Sequence, residues 1–246
     1  MAPVEAEVPL PGGRITQGVV RIGGTVRRPA SAASSYVADL LRHLTTQGFT
    51  GSPRYLGRDP AGRDTFTYLP GWVPPRFQCW TDSQVAAAGA LLRALHDATR
   101  GSALAGPHPV VCHHDPGPNN TVFRDGRPVA LIDFDTAAPG DPLEDLGYMA
   151  WTWCIASKAE APPVDAQAAR VRVLADAYGL SDHGRARLLD AILDRQARNA
   201  DWWHAHLLAP APRIATEDQI AERIAWSRRE HAFTTTHRRV FSTALR

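Results

Sequence analysis

Lysine is all but missing from this chain. Of its 27 basic residues Lys158 is the one lysine, so a cation needed anywhere before that position must be an arginine or a histidine. Cysteine is scarce too. Cys79, Cys112 and Cys154 are too few and too scattered for a disulfide framework, and they lack zinc-finger spacing. The formal net charge is only +2, with acids and bases interspersed, so no basic footprint for nucleic acid is visible. Long apolar runs are absent: the longest, around Tyr148 to Ala156, is too short to span a bilayer. The N-terminal stretch from Met1 to Glu7 has neither a basic region nor an apolar one of the kind that directs export. The expectation is a reducing, cytoplasmic setting with no membrane and no nucleic-acid partner. No internal repeat is seen, and low complexity is confined to Pro-rich joints such as Pro210-Ala211-Pro212. With 246 residues, 44% of them apolar, the chain can bury a sizeable core in one large or two small domains.

What is present concentrates in one place. Val111-Cys112-His113-His114-Asp115-Pro116-Gly117-Pro118-Asn119-Asn120 is followed by Ala130-Leu131-Ile132-Asp133-Phe134-Asp135. The prolines and glycine after Asp115 break helix and strand alike, so this stretch must be a loop that carries side chains. Thr121 to Phe123 reads as a short strand, Arg124-Asp125-Gly126-Arg127 as a hairpin turn, and Val129 to Ile132 as the returning strand. Such a hairpin brings Asn120 at its entrance beside Asp133 at its exit. The resulting inventory is a carboxylate, an amide oxygen and a second carboxylate. Phosphoryl transfer from a nucleotide needs a carboxylate to orient an attacking hydroxyl and hard oxygen ligands to hold Mg²⁺ on the phosphates. Other readings exist: His113, His114 and Cys112 as metal ligands, or His96-Asp97 as part of an HD-type phosphohydrolase. Neither accounts for Asn120 or the Ile-Asp-Phe-Asp strand end, and His96, on the predicted helix after Thr81, reads as a packed helical histidine.

The pattern His113-x-Asp115-x-x-x-x-Asn120 followed by Ile132-Asp133-Phe134-Asp135 resembles the signature of the aminoglycoside phosphotransferase and choline kinase family, and is similar to the catalytic loop of protein kinases. Gly140-Asp141-Pro142-x-x-Asp145-Leu146 is similar to a further run of that family. The strong match covers residues 110 to 150 and a looser one runs from about residue 12 to residue 210. The resemblance implies an α+β, protein-kinase-like two-lobe fold, with a small antiparallel-sheet N-lobe and a mainly helical C-lobe. It implies Asp115 as catalytic base, Asn120 and Asp133 as magnesium ligands, Asp135 assisting a second ion, and His113 and Asp145 as braces of the loop. Mg²⁺ and ATP or GTP are the implied cofactors, and a hydroxyl-bearing small molecule or peptide the implied partner.

Along the chain, residues 1 to 13 read as loose. Gly18 to Ile22, a Gly23-Gly24 turn and Thr25 to Arg28 form a hairpin. Ser34 or Ser35 is placed to cap a helix presenting Val37, Leu40, Leu41 and Leu44 and ending at Gly48. Pro53 to Gly57 and Thr65 to Leu69 form another hairpin. Residues 1–70 are thus the expected N-lobe, 71–80 the hinge, and 81–246 the helical C-lobe with its catalytic loop at 111–135. Leu69 and Gly71 lie where the hinge would offer backbone groups to a nucleotide base. Capping boxes at Thr81/Gln84 and Thr216/Gln219 open helices, and further helices are expected near 164–178 and 183–208.

The N-lobe departs from the kinase pattern. Kinases grip phosphates with a strand lysine held by a helix glutamate. Here Val26-Arg27-Arg28-Pro29 resembles the strand of arginine-bearing family members, which makes Arg27 the candidate clamp. The helix over 34–47 has no glutamate, and Gly12-Gly13 is the nearest approach to a glycine-rich cover loop. The N-lobe also resembles family members labelled as trifolitoxin immunity proteins, which raises a second class of function: a catalytically inactive kinase-like binding or immunity module. On the acceptor side, Asp141, Glu144, Asp190, Asp194 and Asp201 are interleaved with Arg185, Arg187, Arg195 and Arg198, a balance that does not favour a polycation. The tryptophans 151, 153, 202 and 203 read as lobe packing rather than as an aromatic cleft.

Overall fold

The computed structural model describes residues 6–10, 18–74, 78–208 and 215–246. The Gly12-Gly13 pair, Pro75 of the expected hinge and the Pro210-Ala211-Pro212 joint lie outside them. The fold is mixed α and β, a small antiparallel sheet joined to a larger helical part. The sheet has five strands in the order β1-β2-β3-β5-β4: β1 Val8–Pro9, β2 Val20–Ile22, β3 Thr25–Arg28, β4 Tyr55–Arg58 and β5 Asp64–Thr67. The β2–β3 hairpin turns at Gly23, whose φ of 55° suits glycine. Residues 1 to 13 are not wholly loose, since Val8 and Pro9 pair with Arg21 and Val20.

One helix, α1 (Ser34–Thr46), covers the sheet and buries Val37, Leu40, Leu41 and Leu44. Its expected serine cap does not form. Ser34 is already helical, and its hydroxyl donates instead to the buried carboxylate of Asp64, which Tyr55 and Arg58 also reach at 3.2 Å. An interior acceptor outcompetes the helix end for the hydroxyl, because an unsatisfied buried carboxylate costs more than an uncapped turn exposed to water.

From the sheet the chain crosses at residues 68–74. Trp72 exchanges two backbone hydrogen bonds with Phe123, at 2.9 and 2.7 Å. Gly71 makes this crossing possible. Its φ is +153°, and a Cβ there would stand 2.4 Å from the Phe123 carbonyl oxygen.

The capping boxes at Thr81/Gln84 and Thr216/Gln219 open α2 (Asp82–Thr99) and α6 (Glu217–Thr236) as expected. Between them lie α3 (Pro142–Cys154), α4 (Val164–Tyr178) and α5 (Asp182–Leu208), with α7 (Arg238–Ala244) at the end. Gly147 of α3 sits against the Ala191 backbone of α5, where a Cβ would meet Ala191 O at 2.7 Å, and this sets how closely the two helices approach. Two short ribbons complete the fold, β6 (Val110–Cys112) with β9 (Ala138–Gly140) and β7 (Thr121–Arg124) with β8 (Arg127–Leu131). Trp151, Trp153 and Trp203 are buried: Trp151 stacks on Trp226 and Trp153 on Phe123, while Trp202 is exposed. Among the described residues, no helix is long and apolar enough to cross a membrane.

Candidate active site

Strand β6 delivers the loop that begins at His113, and β9 returns beside it. A 3-10 turn at Pro118–Asn120 leads into β7, and the β7–β8 hairpin brings the chain back to Ile132. The ladder is extended by Ile132 N–H donating to Asn120 O at 2.9 Å, which sets Asn120 beside the start of the Asp133 segment. Asn120 is fixed on its other side by Asp115: its Nδ2 donates to Asp115 Oδ2 at 2.8 Å and to Asp115 O at 3.0 Å. With Nδ2 turned to Asp115, Oδ1 is the amide's remaining acceptor, and it takes a hydrogen bond from Asn119 Nδ2 at 3.2 Å. Asp133 takes the left-handed conformation at φ 65° and turns its carboxylate outward, leaving the side chain 53% exposed.

Asp145 organises the loop from beneath. It is fully buried on α3, and its two carboxylate oxygens accept the backbone N–H groups of His113 and His114, each at 2.6 Å. His96 of α2 donates to the same carboxylate at 3.0 Å, and its other ring nitrogen meets the Tyr178 hydroxyl at 2.8 Å. Burial alone would raise the Asp145 pKa, but the His96 hydrogen bond and the neighbouring histidines outweigh it and hold it at about 2. His113 adds a second tie. Its Nε2 donates to Ile132 O at 3.0 Å, so Nδ1 is free to accept the Asp115 N–H at 3.3 Å. Thr136 Oγ1 donates to His113 O at 2.8 Å, closing the loop against the Asp133–Asp135 turn. His96 and Tyr178 therefore belong to the site's foundation. His96 is the packed helical histidine its sequence context suggests, but its bond to Asp145 could not be read from the sequence, because the partner lies 49 residues away and no local pattern encodes that separation.

The rival metal reading has one foothold among the described residues. His96, Cys112 and Asp145 bring potential ligand atoms within 4.8 Å of one another. Those groups are already engaged with each other and with the backbone, and burial pushes the Cys112 thiol well above its usual range, away from the thiolate a soft metal requires.

Neighbouring residues of a strand face opposite sides, and this decides the arginines. Arg27 turns away from the loop toward Asp59, Nε to Oδ2 at 3.6 Å, and its Nη1 is buried with no acceptor among the described residues. Arg28 faces the loop. Its guanidinium pairs with Asp133 Oδ1 at 3.4 Å and with Asp135, and its side chain is only 14% exposed. Leu69 is half-buried and Gly71 exposed, on either side of Pro70, whose carbonyl accepts from Arg124 at 3.3 Å.

The donor set fits a hard cation. The Asn120 amide oxygen and the Asp133 and Asp135 carboxylates are oxygen ligands of the kind Mg²⁺ takes, and a positive group, Arg28, already seats itself between the two acids. On the helical side, the acids of the sequence reading are mostly neutralised: Asp141 by Arg187, Glu144 and Asp194 by Arg198, and Asp190 by Arg238. Arg195 of α5 lies over the Tyr148 ring and donates to His114 O.

Known proteins share this fold and family. The chain is 33% identical to a trifolitoxin immunity protein of Rhizobium leguminosarum bv. trifolii, over 95% of this chain and 96% of that protein. A choline/ethanolamine kinase family protein from Mesorhizobium loti has a similar fold, with a TM-score of 0.66 at 20% identity over 100% of this chain and 94% of its own. So does the spectinomycin phosphotransferase APH(9)-Ia, solved with ADP and spectinomycin, with a TM-score of 0.61 at 10% identity over 90% of this chain and 89% of its own. Residues 52–189 match the sequence model of the APH group, described as the phosphotransferase enzyme family, and it is to this family that the chain belongs.

Proposed function

We propose that the protein transfers the terminal phosphoryl group of ATP or GTP to a hydroxyl of a small molecule or peptide. The observation that carries this reading is the double grip of Asn120 on Asp115, at 2.8 and 3.0 Å, beside a strand end that presents Asp133. In this reading Asp115 orients the acceptor hydroxyl and takes its proton as the oxygen attacks. Asn120 Oδ1 and Asp133 would hold the magnesium ion, with Asp135 as a further oxygen donor beside them. When bound, the ion neutralises the charge that builds on the transferred phosphoryl group. Arg28 replaces Arg27 as the proposed grip on the phosphates, because its fork reaches the same acids and matches a phosphate bidentately. The crossing near Leu69 and Gly71 offers backbone groups to the base, between a sheet lobe over residues 1–70 and a helical lobe from 81 onward.

The test is thermal denaturation with Mg·ATP at millimolar concentration. A ligand present at 100 times its Kd adds about 2.7 kcal/mol of stability, a readily measured shift. Wild type is expected to shift and Asp133→Ala not to. No response in either protein refutes nucleotide binding.

The immunity-protein relative supports a second reading, in which the domain holds a peptide without turning nucleotide over. The absence of a lysine and glutamate pair on β3 and α1 favours it, and the convergence of Asp115, Asn120 and Asp133 favours the enzyme. Single-turnover transfer of labelled phosphate to an acceptor panel separates the two.

A further inference from the structure

Arg28 occupies the place a metal is expected to take. It comes from the sheet lobe, is half-buried, and spans two carboxylates that have one residue between them in the turn after β8. Without a cation between them Asp133 and Asp135 would repel, and a guanidinium answers both at once with fixed geometry. A divalent ion bound to the same oxygens at ~2.1 Å cannot share them with that guanidinium, since the two positive groups would sit within a few ångströms of each other.

We propose that Arg28 is an internal stand-in for the metal. In the nucleotide-free protein it bars divalent cations from Asp133 and Asp135, and nucleotide phosphates lift the bar by drawing the arginine onto themselves. This rests on the metal role given above to Asp133. Its consequence goes further: metal and nucleotide enter together, and neither acid binds the ion well beforehand. Two features make the exchange feasible. Arginine keeps its charge at any working pH, so a nucleotide phosphate can take the place of the acids as its partner without any change of protonation. The pair also bridges the β3 strand of one lobe and the turn after β8 of the other, so moving Arg28 from acid to phosphate preserves an ionic link across the cleft while its partner changes. Coupling of this kind is reciprocal, so metal must strengthen nucleotide binding by the factor by which nucleotide strengthens metal binding.

Mn²⁺ uptake, followed by loss of its free-ion EPR signal beyond the loss that AMPPNP causes without protein, tests the inference on the full chain. The proteins are wild type, Arg28→Gln, Arg28→Lys and Asp133→Asn, each without nucleotide and with the non-hydrolysable analogue AMPPNP. Circular dichroism melts verify folding. Without nucleotide, Arg28→Gln is expected to bind Mn²⁺ at least tenfold more tightly than wild type, with Arg28→Lys between them and Asp133→Asn weakest. AMPPNP is expected to raise the wild-type affinity at least tenfold more than that of Arg28→Gln. Equal nucleotide-free affinities of wild type and Arg28→Gln overturn the inference while leaving Asp133 as a ligand. Failure of both to take up Mn²⁺ even with AMPPNP overturns the inference together with the metal reading beneath it. Should Arg28→Gln fail to fold, the wild-type to Arg28→Lys difference decides, and a ratio near one is the negative result.

Discussion

Replacing Asp145 with asparagine tests whether the loop is held as described. The carboxylate is fully buried and accepts three hydrogen bonds, two from backbone N–H groups at 2.6 Å and one from His96 at 3.0 Å. Asparagine keeps the shape but presents an NH₂ to one of those N–H donors, leaving a donor facing a donor with no water to help. Breaking a buried charged network in this way costs about 3 to 5 kcal/mol. In a chain of this size each kcal/mol moves Tm by roughly 2 to 4 °C, so a drop of about 10 °C is expected by calorimetry at pH 7. The pH dependence supplies the sharper check. Asp145 has its carboxyl lowered from 3.8 to about 2, so its ionised form favours the folded state. That contribution is fully present above about pH 4 and is lost as pH falls from 4 toward 2. It amounts to about 2 kcal/mol by the proton linkage. The gap between wild type and Asp145→Asn is therefore widest above pH 4 and shrinks by that amount at pH 2. A gap that is small at pH 7, or that does not change with pH, would refute the account of Asp145 as an ionised anchor.

Other perturbations separate chemistry from support. Asp115→Ala should abolish transfer, by at least a hundredfold in kcat, while leaving the thermal shift with Mg·ATP nearly intact; Asp133→Ala should lose the shift itself. Gly71→Ala puts a Cβ 2.4 Å from Phe123 O at a φ that L residues avoid, so it should cost roughly 1 to 3 kcal/mol in urea denaturation and weaken nucleotide binding measured by calorimetry. Gly147→Ala places a methyl 2.7 Å from Ala191 O and must push α3 from α5; a loss of about 2 kcal/mol or more in urea denaturation is expected.

The loop and its hairpin were legible because their signals are local and redundant. Prolines forbid regular structure at 116–118, a Gly closes the turn at 126, and alternating strands must then return Ile132 to Asn120. Capping boxes at Thr81 and Thr216 are legible for the same reason, since donor and acceptor lie three residues apart. Signals fail where both faces of an element carry the same kind of residue. Thr25-Val26-Arg27-Arg28 has arginine on each side, and its four residues are all half-buried, so nothing in the strand itself says which guanidinium looks into the cleft. Only the pairing with β5, Arg28 opposite Asp64, fixes the phase. α3 escaped notice for the opposite reason: from Leu146 through Cys154 every residue is buried, and a helix without a polar face shows no 3.6-residue period.

The two halves of the candidate site differ in how they are held, and the difference fits the roles proposed for them. Asp115 and Asn120 sit on a loop fastened by Asp145, His96, His113 and Thr136, so their oxygens can be aimed before any ligand arrives, as pre-organised catalysis requires. Asp133 and Asp135 are outward and partly exposed, at 53% and 30%, and the cation that balances them comes from the other lobe. On the proposed function, a fixed base with exchangeable countercharge would suit a reaction in which acceptor geometry is constant while metal and nucleotide come and go each cycle. On the same proposal it would also remove the need for the missing lysine and glutamate. A lysine is a point charge that needs a helix carboxylate to hold it extended, whereas the planar fork of Arg28 is oriented by the acids themselves. If a glutamate were introduced on α1 within reach of Arg28, it should draw the arginine off Asp133 and weaken rather than strengthen the coupling between nucleotide and metal.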